Sequence, residues 1–253
     1  MTAIHCEVYG QGQSLVLLHG WAMHSGIWRE FAQQLAGRYQ VICLDLPGHG
    51  RSQPLERFDL ASVSAALLAA IPVEQFSVLG WSLGAELAIN LAASVPKRVN
   101  QLLLLAGNPK FVGDDGWPGV QPKVLQAFAS QLNGDIKLML TRFLALQVNG
   151  LPDAKRHLTI LKTALQACDA PWLPNLQAGL AILESTDLRQ QLARLQCPIT
   201  VIQGDKDPLI PVATADAIQQ LNPQITTHIL PNAGHVPFIS HNQQLLDIIG
   251  VVL

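Results

Sequence analysis

Phe76-Ser77-Val78-Leu79-Gly80-Trp81-Ser82-Leu83-Gly84-Ala85-Glu86-Leu87-Ala88-Ile89-Asn90-Leu91 is the stretch that decides the fold. Residues 76–79 are apolar and β-prone, and residues 85–91 read as a helix. Between them stands the pattern Gly80-x-Ser82-x-Gly84. A strand, a very tight turn and a helix in that order lift Ser82 onto a sharp bend with its hydroxyl exposed. Glycine suits positions 80 and 84, because a Cβ at either would crowd the neighbouring strand or helix. The helix beginning after Ser82 brings free N–H groups and the positive end of its dipole to the reacting oxygen. An ordinary Gly-rich βα turn is the alternative reading, against which these flanks weigh.

A serine hydroxyl is a weak nucleophile at neutral pH. It needs a base, and the base needs an orienting carboxylate. On this fold they follow in the order Ser, then Asp or Glu, then His. Ile199–Gly204 reads as a buried strand leading into Asp205-Lys206-Asp207-Pro208, and Thr226–Leu230 as the last strand, leading to Asn232-Ala233-Gly234-His235. Both polar groups thus fall just beyond strand C-termini, where open α/β sheets place their ligands. Asp207, deeper in its loop and next to Pro208, is the better acid, a choice that also rests on resemblance to related hydrolases. Asp205 reads as a turn residue bonding its own backbone. Among eight histidines His235 is the candidate base by position. His228 lies within a strand, His241 opens the last helix, and His5, His24, His49 and His157 have no evident partner.

Leu15-Val16-Leu17-Leu18-His19-Gly20-Trp21 reads as a buried strand ending in a His-Gly turn. The residue after the nucleophile and the loop after an early strand supply the two oxyanion N–H groups on this fold, here Leu83 and Trp21.

A chain of 253 residues holds one domain, or one domain with an insertion. With 49% hydrophobic and only 13% charged residues it is not a disordered chain. A net charge of −2 without a Lys/Arg-rich run argues against nucleic acid and anionic membranes as partners. Apolar runs are strand-length or broken, and the N-terminus lacks a basic region followed by an apolar core, so no membrane span or signal peptide is expected. Cys6, Cys43, Cys168 and Cys197 show no CxxC spacing and read as reduced packing residues of a cytoplasmic protein. No metal-ligand cluster or phosphate-binding loop is present, so no cofactor is expected.

Strand candidates Ile4–Val8, Leu15–His19, Tyr39–Leu44, Phe76–Leu79 and Gln101–Leu105 alternate with helices near Ile27–Ala36, Leu60–Ala70 and Leu83–Ser94. This predicts an α/β fold with a mostly parallel central sheet flanked by helices. The pattern stops near residue 108 and resumes near Ser185, ending in a helix near Gln243–Val251. Residues 109–184 have helical periodicity and no convincing strand, punctuated by Pro118, Pro122, Pro152, Pro171 and Pro174. Inserted between two strands, this segment must return to the same sheet edge. It is therefore expected as an all-helical lid over Ser82, with residues 1–108 and 185–253 as the core. Trp117, Phe143, Leu146 and Trp172 either line an apolar channel beneath it or pack the lid on itself.

Gly-x-Ser-x-Gly after a strand, His19-Gly20 and Asp45-Leu46-Pro47-Gly48-His49-Gly50-Arg51-Ser52 resemble the α/β-hydrolase superfamily. The lid narrows this. Trp117-Pro118-Gly119, Arg142-Phe143-Leu144-Ala145-Leu146-Gln147, residues 183–192 (LESTDLRQQL) and residues 233–241 (AGHVPFISH) resemble the pimeloyl-acyl-carrier-protein methyl ester esterases of biotin synthesis. The likeness covers nearly the whole chain. It implies Ser82 as nucleophile, Asp207 as acid, His235 as base and Trp21 and Leu83 as oxyanion donors. Substrate contacts are implied from Trp21, Ser82, Leu83, Phe143, Leu144, Ala145, Leu146, Gln147 and His235. One departure is Ala85, where the family commonly has a second glycine.

The family's lid carries basic residues that meet the acidic carrier protein. From Lys137 to Lys162 this chain has Lys137, Arg142, Lys155, Arg156 and Lys162 against Asp153 alone. Arg142, Lys155 and Arg156 are the docking candidates; a merely solvated helix face is the alternative. The implied partners are the acyl carrier protein bearing the pimeloyl methyl ester and small esters, with the enzyme a monomer. A lidded hydrolase of small esters or carbon–carbon bonds, or a non-catalytic ligand receptor on this fold, are the rival readings.

Overall fold

A computed structural model of the chain describes residues 2–132, 134–169 and 171–253. Seven strands form one sheet: β1 (Cys6–Tyr9), β2 (Gln13–Leu18), β3 (Tyr39–Leu44), β4 (Phe76–Trp81), β5 (Val99–Leu105), β6 (Ile199–Gly204) and β7 (Thr226–Leu230). Their spatial order is β1-β3-β2-β4-β5-β6-β7. Only β1 runs antiparallel, pairing Cys6 with Leu44 and Tyr9 with Val41; every other neighbouring pair is parallel. Leu15–Leu18, Val78–Leu79 and Leu102–Leu105 are wholly buried, as central strands covered on both faces require.

The core helices are α1 (Arg29–Leu35), α2 (Leu60–Ala70) and α3 (Leu83–Ser94). Between β5 and β6 the chain builds α4 (Pro122–Gln131), α5 (Ile136–Gln147), α6 (Ala154–Gln166) and α7 (Leu173–Ser185), followed by α8 (Arg189–Arg194). After β6 come α9 (Ala213–Leu221), β7, the short α10 (Pro237–Ser240) and α11 (Asn242–Val252). Helix α3 packs on β4, β5, α2 and α8. Its buried residues include Leu87, Ala88, Ile89, Leu91 and Ala92.

Most elements fall where the sequence puts them, and the differences have local causes. Strand β1 starts at Cys6 rather than Ile4. Strand β4 continues through Gly80 and Trp81, because both pair with β5 at Leu104 and Leu105. The helix expected over 27–36 divides into a 3-10 turn, Ser25–Trp28, and α1. His24 caps the 3-10 turn, its ring accepting from the Gly26 N–H at 3.0 Å. Before α4 only two isolated bridges form, Val112 with Val120 and Asp114 with Trp117. All four cysteines are free, and among the described residues no helix is long and apolar enough to cross a membrane.

Candidate active site

Ser82 stands between β4 and α3 with φ 56° and ψ −119°, a left-handed φ that is costly for a residue with a side chain. The surroundings hold it there. Its N–H donates to the Leu105 carbonyl at 3.1 Å, and its carbonyl accepts from the Ala85 N–H at 2.8 Å. The two flanking glycines are sterically required. A Cβ on Gly80 would lie 2.1 Å from the Gly84 oxygen, and one on Gly84 would lie 2.4 Å from the Leu18 oxygen. Ala85 is accommodated by glycine at the facing position: a Cβ on Gly107 would lie 2.3 Å from the Ala85 methyl.

His235 lies beyond β7 and Asp207 beyond β6, and the structure brings them together. The Nδ1 of His235 is 2.8 Å from Oδ2 of Asp207, with both side chains inaccessible to solvent. The other carboxylate oxygen of Asp207 accepts from the N–H groups of Leu209 at 2.8 Å and Ile210 at 3.0 Å. A carboxylate held at three points fixes the ring it faces, and Nδ1 carries the proton it donates. In the neutral ring Nε2 is then the free acceptor. That nitrogen is buried and has no hydrogen bond among the described residues. Ser82 Oγ makes no hydrogen bond to it here; in free enzymes such contacts often close only with substrate. The His235 backbone is pinned as well, its carbonyl accepting from Trp81 Nε1 at 2.7 Å and its N–H donating to the Gln147 carbonyl at 3.3 Å.

The acid side corrects one expectation. Asp205 does not bond its own turn; its Oδ1 accepts from the N–H of Asn232 at 2.6 Å, tying the loop after β6 to the loop after β7. Asp207 is the residue that caps its own loop, besides orienting His235.

The turn after β2 is built on His19. Wholly buried, it donates from Nδ1 to the Gly20 carbonyl at 2.8 Å and accepts at Nε2 from the Leu46 N–H at 2.9 Å. Burial, with His49 adding to it, lowers its pKa to about 3, so the ring is neutral and structural. Asp45 braces the same region, accepting from the N–H groups of Ser25 at 2.5 Å and Arg51 at 2.8 Å. These bonds explain the Asp45–Ser52 motif as a loop staple. The N–H groups of Trp21 and Leu83 have no protein partner among the described residues. Gly20 lies against Ser82, since a Cβ on it would come within 3.2 Å of the serine Cβ.

The inserted helices close over this edge. The Trp21 indole donates to the Leu176 carbonyl of α7 at 2.9 Å and meets Phe143 of α5 edge-on, ring centres 4.9 Å apart. Gly179 of α7 faces the Trp21 ring and Leu83. Phe143, Leu144 and Gln147 are buried, Ala145 and Leu146 half-buried. Trp117 and Trp172 do other work. Trp117 donates to the Lys110 carbonyl at 2.8 Å and lies under Arg189, packing the connectors of the insertion. Trp172 is 44% exposed. Arg142 and Lys155 are exposed on α5 and α6, whereas Arg156 lines a cleft between α6 and α1.

Two polar groups near the site were missed in the sequence. Glu86, in the first turn of α3, is buried and neither oxygen has a hydrogen bond among the described residues. Burial raises its pKa well above the carboxylate range, opposed only in part by the facing Phe111 N–H. Asn108, beyond β5, is equally buried with its amide unpaired. A lone acid inside the apolar run 85–91 was the available signal for Glu86. Among the described residues no group of acidic, histidine or cysteine side chains could hold a metal ion.

Against this geometry the comparisons are direct. A family model described as the alpha/beta hydrolase fold matches residues 13–242. The chain is 40% identical over 248 residues, 98% of both chains, to the protein of Nitrosomonas europaea named pimeloyl-[acyl-carrier protein] methyl ester esterase. Its counterpart of that name in Methylococcus capsulatus is 40% identical over 96% of this chain and 95% of its own. Among solved structures, an esterase from Exiguobacterium antarcticum superposes with a TM-score of 0.86 at 21% identity, covering 99% of this chain and 95% of its own, a likeness of fold. The chain belongs to the α/β-hydrolase family and, within it, to the family of the pimeloyl-[acyl-carrier protein] methyl ester esterases.

Proposed function

We propose that this protein hydrolyses the methyl ester of pimeloyl-[acyl-carrier protein] to the free acid and methanol, in biotin synthesis in the cytoplasm, acting as a monomer without cofactor. The observation that most supports this reading is identity of 40% across 98% of both chains to an esterase of that name, together with the His235–Asp207 pair at 2.8 Å on the edge that carries Ser82.

In this mechanism Ser82 attacks the ester carbonyl while Nε2 of His235 takes the hydroxyl proton. The N–H groups of Trp21 and Leu83 hold the oxyanion of the tetrahedral intermediate. His235 then protonates the departing methanol, leaving an acyl-enzyme. Water repeats the sequence, and the product carboxylate leaves. Asp207 keeps the ring in the required tautomer and stabilises its cation. Residues 1–108 and 185–253 serve as the hydrolase core and 109–184 as a lid. Phe143, Leu144, Ala145, Leu146 and Gln147 contact the acyl chain, and Arg142, Lys155 and Arg156 meet the carrier protein.

The test is methanol release from the carrier-linked methyl ester by purified protein, with p-nitrophenyl esters and ring-fission products as competing substrates. The carrier-linked ester should give the highest kcat/KM, and Ser82→Ala should cut turnover by up to ~10⁶-fold with the fold intact. Preference for another substrate would overturn the assignment of substrate, and near-wild-type hydrolysis by Ser82→Ala would overturn the assignment of nucleophile.

A further inference from the structure

A concavity lies at the seam where the inserted helices meet the core, with Ser82 outside its lining. It encloses about 570 Å³ between the 3-10 turn and α1 on one side and α6 on the other, with α10 at its end. That is ample for a small organic ligand. Three guanidinium groups line it, Arg29 and Arg51 from the core and Arg156 from α6, against a single carboxylate, Glu30. Arg51 and Arg29 are both partly engaged, Arg51 donating to Glu7 at 2.9 Å and Arg29 to the Tyr9 oxygen. Arg156 forms no hydrogen bond or ion pair among the described residues.

The remaining lining mixes polar side chains, among them Thr159, Thr163 and Asn242, with an apolar patch. Ile160 and Ile239 are half-buried on opposite sides, with Phe31 and Phe238 behind them. His157 stands on the α6 wall, 8% exposed, and its Nδ1 is buried without a hydrogen-bond partner. Cations at the rim with apolar side chains behind them describe the complement of an amphiphilic anion.

We propose that this cleft binds a small organic anion, a carboxylate or phosphate monoester carrying a short apolar chain. Its lining includes none of Ser82, Asp207 and His235, whereas Arg156 is shared with the proposed carrier-docking residues, so this ligand and a docked carrier would compete for that side chain. One strut already crosses the seam, His24 Nε2 to the Ala164 carbonyl at 2.6 Å. A ligand held by Arg29 on one wall and Arg156 on the other adds a second and braces α6 against the core.

The test is isothermal titration of the full chain with octanoate and with hexyl phosphate, using 1-octanol as the uncharged control. Each titration is repeated on protein whose Ser82 has been blocked with a fluorophosphonate. Saturable one-to-one binding of either anion is expected, unchanged by the block, with no binding of octanol; the tighter anion names the headgroup. Arg29→Glu should weaken binding at least tenfold. Gln34→Glu, which places a charge on an exposed residue of the same wall with little change of shape, should weaken it about threefold and guards against misfolding of the first variant. Absence of saturable binding overturns the proposal. So does binding that vanishes when Ser82 is blocked, or that both variants leave unchanged.

Discussion

Glu86 shows at the residue scale what the site region costs. A carboxyl buried without a hydrogen bond resists ionisation, and burial holds its pKa well above 4.5. The sign follows from linkage. As pH rises through about 4.5 the unfolded chain releases its proton while the folded chain keeps it, so stability falls with rising pH up to the folded pKa. Glu86→Leu removes this term and fills the space with apolar atoms. Urea unfolding should show the variant more stable by about 1–3 kcal/mol at pH 8, with a smaller gain at pH 4. A gain that did not depend on pH would mean that the carboxyl is not the source. The sequence hid this residue because helix periodicity alone does not say which neighbour the polar position faces. Asp207 and His235 were legible for the opposite reason, since strand ends on a parallel sheet fix where the following loops meet. Asp205 was misread because its partner, Asn232, is 27 residues away.

At the scale of elements, the contact between β2 and α3 governs the turn that carries Ser82. Gly84 sits against the Leu18 and His19 carbonyls, so even one added carbon meets rigid backbone. Gly84→Ala should destabilise the protein by about 1–3 kcal/mol in chemical denaturation. It should also lower kcat more than it raises KM, because the Leu83 N–H shifts with the helix start. Wild-type kcat would show that the turn tolerates a wider gap. The connectors of the insertion form a second such unit. Leu188 N–H donates to the Pro109 carbonyl at 2.8 Å, and Asp187 faces Arg189 at 2.6 Å and Lys110 at 3.9 Å. Trp117 is the packing centre of that junction, which apolarity alone could not distinguish from a channel wall. Strand and helix cores were readable from periodicity. The split at Ser25–Trp28 was not, because it depends on a histidine folding back onto its own turn.

Across the whole molecule, the charge distribution separates two surfaces. The chain is weakly negative overall, with a net charge of −2, yet α5 and α6 expose Lys137, Arg142 and Lys155. If these meet an acidic carrier, reversing Arg142 and Lys155 together should raise KM for the carrier-linked ester at least tenfold while a free p-nitrophenyl ester is hydrolysed within twofold of wild type. Added salt should shrink that difference, since exposed charges are screened. Equal effects on both substrates would dispose of the docking surface. If Ser82 and His235 are the reacting groups, their concealment bears on speed. Ser82 is 4% exposed and His235 not at all, with Trp21, Phe143 and Leu176 drawn together above them. With so little of Ser82 open, admitting an ester to that centre calls for a shift of the covering helices α5 or α7. Each catalytic cycle therefore includes a mechanical stroke through solvent, and for a reactive ester that stroke, rather than bond cleavage, should set the tempo. Turnover should then slow as glycerol thickens the medium.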